Sequence, residues 1–108
     1  MSDLAAKRCV PCEKGTAPLG GAELRRLFEQ LEGWSLVGEQ RLEKEYRFPD
    51  FRTALGFVNR VGEVAEAEGH HPDLFLTWGK VKITLWTHSI GGLSENDFIL
   101  AAKADSVR

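Results

Sequence analysis

The stretch Asp73-Leu74-Phe75-Leu76-Thr77-Trp78-Gly79-Lys80-Val81-Lys82-Ile83-Thr84-Leu85-Trp86-Thr87-His88 alternates apolar and polar residues on both sides of a glycine-containing turn. That is the pattern of two half-buried antiparallel strands. A two-residue turn at Gly79-Lys80 pairs Trp78 with Val81, Leu76 with Ile83 and Leu74 with Leu85, so apolar faces apolar along the inner side. The outer side then pairs Thr77 with Lys82, Phe75 with Thr84 and Asp73 with Trp86. A one-residue slip would send every apolar side chain to the wrong face, so one register is expected. Carried two positions further, it sets His71 opposite His88, with Cβ atoms about 5 Å apart.

Upstream of this hairpin, Pro49-Asp50 opens the longest helix, with Asp50 as N-cap. Phe51, Ala54, Leu55, Val58, Val61, Gly62 and Ala65 mark its inner face. Gly69 suits the left-handed residue after the helix, and Pro72 prevents continuation. Before it, Trp34 and Leu36 begin a short strand and Gly38-Glu39-Gln40 makes a turn. Leu42, Tyr46 and Phe48 then alternate with Glu43, Glu45 and Arg47, with Lys44 interrupting the apolar face. Leu24, Leu27, Phe28 and Leu31 fall at the spacing of an amphipathic helix, which Gly33 ends. Downstream, Ser94-Glu95-Asn96-Asp97 matches the start of a last helix that runs to about Ala104. The order α-β-β-α-β-β-α predicts an α+β fold, a four-stranded antiparallel sheet with three helices packed on one face. Residues 1–20, broken by Gly15, Pro18 and Gly20, read as an irregular N-terminal arm, and residues 21–108 as a single domain.

A chain of 108 residues allows one compact domain. With 43% hydrophobic and 28% charged residues it is neither a disordered chain nor a membrane protein. The net charge of −2 offers no basic surplus for a phosphate backbone, so no direct nucleic-acid partner is expected. The first residues carry an acid and no apolar core, unlike a signal peptide, and a cytoplasmic location follows. Cys9-Val10-Pro11-Cys12 has the C-x-x-C spacing of zinc knuckles and redox sites. Zinc would need two further ligands, and a redox role would place the motif between a strand and a helix. Two tail thiols without such a role are therefore preferred, zinc ranks second and redox catalysis third.

The chain has only three histidines, and the hairpin gathers them. His70 follows the long helix, where the negative end of the macrodipole favours a cation. Glu66 lies one helical turn earlier and is expected to accept a hydrogen bond from it. Singly, a histidine at a helix end reads as a cap and an adjacent pair as solvated loop. Three at one place, and none elsewhere, point to acid–base chemistry. A site of three imidazoles for zinc ranks below that, because neighbouring His70 and His71 tend to point apart.

Glu66-x-x-x-His70-His71-Pro72, then Trp78, His88 and Asp97, resembles the signature of the pterin-4a-carbinolamine dehydratases. Lys80-Val81-Lys82-Ile83-Thr84-Leu85, Thr87-His88 and Gly92-Leu93-Ser94-Glu95 are similar to that family as well. The resemblance spans roughly residues 20 to 105 and leaves the Cys9 to Cys12 arm outside it. It implies three helices on a four-stranded antiparallel sheet and dehydration of 4a-hydroxytetrahydropterin to the quinonoid dihydropterin. It also implies that no metal or organic cofactor is needed, that dimers or tetramers form, and that the pathway partner is an aromatic amino acid hydroxylase. An animal relative doubles as the dimerisation cofactor of a homeodomain transcription factor, so a non-catalytic assembly module is the alternative reading. A metal-dependent hydrolase is the third.

Under that resemblance the expected catalytic set is His70, His71 and His88. His70, held by Glu66, is expected to assist the leaving hydroxyl, His88 to oppose it and His71 to orient the substrate, though the three roles are interchangeable on sequence grounds. Asp97 is expected first as the acid of a capping box with Ser94 and only second as a catalytic support. Gly69, Pro72, Trp86, Thr87 and Ser89 are substrate-binding candidates by adjacency.

Overall fold

The computed structural model describes residues 4–10 and 17–108. Its elements are α1 (Gly21–Phe28), β1 (Ser35–Val37), β2 (Arg41–Arg47), α2 (Phe51–Glu68), β3 (Asp73–Thr77), β4 (Lys80–Leu85) and α3 (Glu95–Ser106), preceded by one turn of 3-10 helix at Leu4–Ala6. The order is the one expected, and the strands form a single antiparallel sheet in the order β1-β2-β4-β3. Leu42 and Tyr46 on β2, with Val81, Ile83 and Leu85 on β4, are buried against the helices, as are Phe57 of α2 and Phe98 of α3. The Phe57 ring packs 4.6 Å from that of Tyr46 and 5.2 Å from that of Phe48, which joins the long helix to the sheet.

The hairpin keeps the expected faces but not the expected partners. Leu74 pairs with Ile83, Leu76 with Val81, Phe75 with Lys82 and Asp73 with Thr84, so the turn is Trp78-Gly79. Trp78, expected opposite Val81 in the core, is 66% exposed at the tip. Gly79 explains the shift. The Phe48 N–H donates to its carbonyl at 2.8 Å, and a Cβ on Gly79 would stand 2.8 Å from the Phe48 carbonyl oxygen. The end of β2 thus fixes Gly79 inside the turn. Moving each partner by two residues preserves parity, so apolar still meets apolar. Asp73 consequently faces Thr84 rather than Trp86, and the ladder does not carry His71 across to His88.

On α2, Asp50 caps as expected, its Oδ1 accepting from the Thr53 N–H at 2.8 Å. The buried stripe is Ala54, Phe57, Val61 and Ala65. Phe51 and Leu55, expected on that stripe, are instead 44% and 40% exposed. The helix is apolar on two adjoining stripes, and only one can face the sheet.

Lys44, the expected interruption of the inner face, is where the far end of the sheet is tied to α3. Its ammonium reaches Asp105 Oδ1 at 2.8 Å and the Glu32 carbonyl at 2.9 Å. The Tyr46 hydroxyl also donates to that carboxylate, and the Trp34 indole N–H donates to Oδ2 at 3.0 Å. Burial first, and the Asp105 contact second, push the Tyr46 phenol well above its ordinary range. Asp105→Ala would strand one ammonium and two neutral donors together. It is expected to cost about 2 kcal/mol in denaturant unfolding: water reaches Lys44 and Asp105, but the Tyr46 hydroxyl and the Trp34 indole are left unpaired in the core. An unchanged unfolding midpoint would show the network to be idle.

The arm covers α3. Leu4, 1% exposed, enters the core, and the Lys103 ammonium donates to the Ala5 carbonyl at 2.8 Å. Flanked by the core and by the arm, α3 buries Phe98, Ile99, Leu100 and Ala101 in succession. Cys12 and Gly15 lie outside the described residues.

Candidate active site

Gly69 ends α2 in the left-handed conformation, φ 67°, and its N–H returns to the Ala65 carbonyl at 2.9 Å. This reversal carries His70 off the helix surface and toward the start of α3. Its Nε2 lies 2.6 Å from Asp97 Oδ1. The expected His70–Glu66 bond is therefore not formed. Glu66 instead meets the next residue, with its Oε2 at 2.5 Å from His71 Nε2. The two pairs differ in character: the His71 and Glu66 side chains are 60% and 77% exposed, those of His70 and Asp97 13% and 0%. A surface pair of this kind is worth little, whereas a buried carboxylate fixes whatever it holds.

Asp97 closes the expected capping box and also holds the His70 ring. The Ser94 N–H donates to Oδ2 at 3.0 Å, completing the capping box of α3. The buried Thr87 hydroxyl donates to the same oxygen at 2.8 Å and receives the Ser94 hydroxyl, also at 2.8 Å. One carboxylate thereby ties together the segment after β4, the cap of α3 and the His70 ring.

After Leu85 the chain leaves the sheet. Thr87 bridges to Gly92, His88–Ile90 forms one 3-10 turn, and Gly91 closes the loop at φ 65°. This loop, rather than a strand ladder, presents His88. Its ring stacks on Trp86 with centroids 3.9 Å apart and planes at 28°. The Arg41 guanidinium lies 4.7 Å from the same indole, and the indole N–H reaches Asp73 at 3.4 Å.

A cleft of about 490 Å³ brings the expected residues together: Gly69, His70, His71, Trp86, Thr87, His88 and Ser89 all line it. Asp97 lies beneath, behind His70, while Glu66 and Pro72 are not among the lining residues. Sequence reasoning missed three that are, namely Val10, Glu68 and Asn96. Only Asn96 carried a signal, its place in the first turn of α3 beside the capping box. Glu68 accepts the Cys9 N–H at 2.8 Å, and that bond lowers its carboxyl below the ordinary 4.5, burial opposing it. Among the described residues no three His, Cys, Asp or Glu side chains are grouped to hold a metal ion. No helix among them is long and apolar enough to cross a membrane.

The model of the family described as pterin 4 alpha carbinolamine dehydratase matches residues 17–107. A putative pterin-4-alpha-carbinolamine dehydratase of Rubrobacter xylanophilus is 56% identical over 105 residues, 97% of this chain and 98% of that one. One from Alkaliphilus metalliredigens is 53% identical over 106 residues, covering 97% and 96%. Among solved structures, the transcriptional coactivator/pterin dehydratase of Brucella melitensis superposes with a TM-score of 0.79 at 34% identity, over 83% of this chain and 97% of that one. A pterin dehydratase-like RuBisCO assembly factor of the alpha-carboxysome shares the fold, with a TM-score of 0.61 at 23% identity over 70% and 89%. The chain belongs to the pterin 4 alpha carbinolamine dehydratase family, whose named activity places it among the hydro-lyases.

Proposed function

We propose that the protein dehydrates 4a-hydroxytetrahydropterin to quinonoid dihydropterin and water by histidine acid–base catalysis. The observation that carries this reading is the convergence of His70, His71 and His88 on one cleft, with His70 held by a buried carboxylate. In the reaction the C4a–oxygen bond breaks, the hydroxyl leaves as water after taking a proton, N5 gives up its proton, and the electrons of that N–H bond form C4a=N5. Hydroxide leaves poorly and the N5 proton is weakly acidic, so both transfers need assistance, worth about 10²–10⁴-fold.

The exchange of Glu66 for Asp97 as the partner of His70 changes the roles. With Nε2–H donated to Asp97, Nδ1 is the nitrogen left to take the N5 proton, so His70 acts as base. His88 protonates the leaving hydroxyl, and no hydrogen bond to its ring is present among the described residues. His71 orients the substrate, and Trp86 walls the cleft beside His88. Such turnover would regenerate the pterin used by an aromatic amino acid hydroxylase. Two exposed apolar surfaces, Phe75 with Trp78 on the hairpin and Phe51 with Leu55 on α2, support assembly as a homodimer or homotetramer. Retention of all three histidines favours an enzyme over an assembly module.

The test is a dehydration assay on freshly generated 4a-carbinolamine, with and without chelator. Enzyme-dependent acceleration that chelator leaves intact is expected. No acceleration over the spontaneous reaction would overturn the reading, and loss with chelator would replace histidine acid–base catalysis by a metal-dependent dehydration.

A further inference from the structure

Two buried polar side chains hold the N-terminal arm against the cleft, and neither belongs to the acid–base set. Asn96, 5% exposed, accepts the Val10 N–H on Oδ1 at 3.0 Å and donates from Nδ2 to the Val10 carbonyl at 2.5 Å. Glu68, its side chain 7% exposed, accepts the Cys9 N–H at 2.8 Å and pairs with Arg8 at 3.1 Å. Burying a carboxamide and a carboxylate is unfavourable unless they find partners, and here the partners are the arm. Val10, 65% exposed, consequently stands in the wall of the cleft that His70, His71 and His88 also line.

We propose that Val10 is a specificity-determining residue that contacts the carbon substituent at C6 of the pterin, and that Asn96 is the residue that positions it. The proposal rests on the dehydratase reading above. Chemistry occurs at C4a and N5, and C6 is bonded to N5, so its substituent lies beside the proton-transferring groups. The 2-amino, N3 and 4-oxo edge of the far ring needs hydrogen-bond partners. Val10 offers none: its side chain is an isopropyl group, and both its backbone groups are spent on Asn96. What remains for it to meet is carbon.

The experiment compares steady-state kinetics on carbinolamines made from 6-methyl- and 6-(dihydroxypropyl)tetrahydropterin, for the parent, Val10→Gly, Asn96→Ala and the double variant. Val10→Gly is expected to lower the preference in kcat/KM for the longer substituent by about three- to tenfold, through KM rather than kcat. Asn96→Ala should reproduce that shift, and the double variant should add little to either, because Asn96 acts through Val10. Far-UV circular dichroism establishes that each variant is folded, and Val10→Gly decides alone if Asn96→Ala is not. A parent that turns over both substrates, with an unchanged preference in Val10→Gly, overturns this inference and leaves the dehydratase reading standing. A parent that turns over neither removes the dehydratase reading and this inference with it.

Discussion

His88→Ala is expected to lower kcat for carbinolamine dehydration by about 10²–10⁴-fold, the range lost when a positioned general acid is removed. The same variant should be nearly as stable as the parent. His88 is exposed, stands in a single 3-10 turn, and among the described residues its side chain makes a stack on Trp86 worth about 0.5–1.5 kcal/mol. The wide separation between a large catalytic loss and a small stability loss is what distinguishes chemistry from scaffolding at this position. The check pairs a kinetic assay with denaturant unfolding of the same preparation. Near-parent turnover in His88→Ala would remove this side chain from proton transfer and return Trp86 and His88 to the status of a wall.

The sequence announces the faces of this fold more clearly than its partners. Period-two alternation in β3 and β4 is satisfied equally by two registers that differ by two residues, and the Phe48–Gly79 contact fits the observed one. Residues far apart in the chain make that choice, so no local pattern contains it. On α2 the same limit appears as rotation, because Phe51 and Leu55 extend the apolar stripe past the part the sheet can cover. For α3 a usable signal did exist. Four apolar residues in succession, Phe98 to Ala101, fit a helix covered on more than one side, and the covering segment is the part of the arm around Leu4.

That the three histidines come together is legible in the sequence, whereas their hydrogen-bond partners are not. The register that would set His71 opposite His88 does not form, yet His70, His71 and His88 all line one cleft, because Gly69 and the loop after Leu85 bring them there by other routes. The one-turn rule joined Glu66 to His70, but the left-handed Gly69 intervenes and swings His70 away from the helix. Asp97, 27 residues distant, becomes the partner instead. A capping box already accounts for an Asp at that position, which conceals that its second oxygen is available for another task.

That second oxygen supports the most discriminating expectation. In Asp97→Asn the amide oxygen can keep the Ser94 N–H and the Thr87 hydroxyl, the two donors now on Oδ2. The amide nitrogen then occupies the place of Oδ1, 2.6 Å from His70 Nε2, and it can only donate. The His70 proton must move to Nδ1, the nitrogen that has to be bare to accept the N5 proton. Turnover is therefore expected to fall by about 10³–10⁴-fold, the cost known for a catalytic histidine held in the wrong tautomer. Stability should fall by about 1–2 kcal/mol, since three charge-assisted bonds become neutral ones and none is lost outright. Asp97→Ala is a poorer test because it strands the cap, the Thr87 hydroxyl and the imidazole together, at about 3 kcal/mol or more. Nitrogen chemical shifts of the His70 ring report the tautomer directly and should exchange the protonated position between Nε2 and Nδ1 in Asp97→Asn. A folded Asp97→Asn protein with the exchanged tautomer and near-parent turnover would show that His70 is not the base, and would move proton abstraction to His71 or His88.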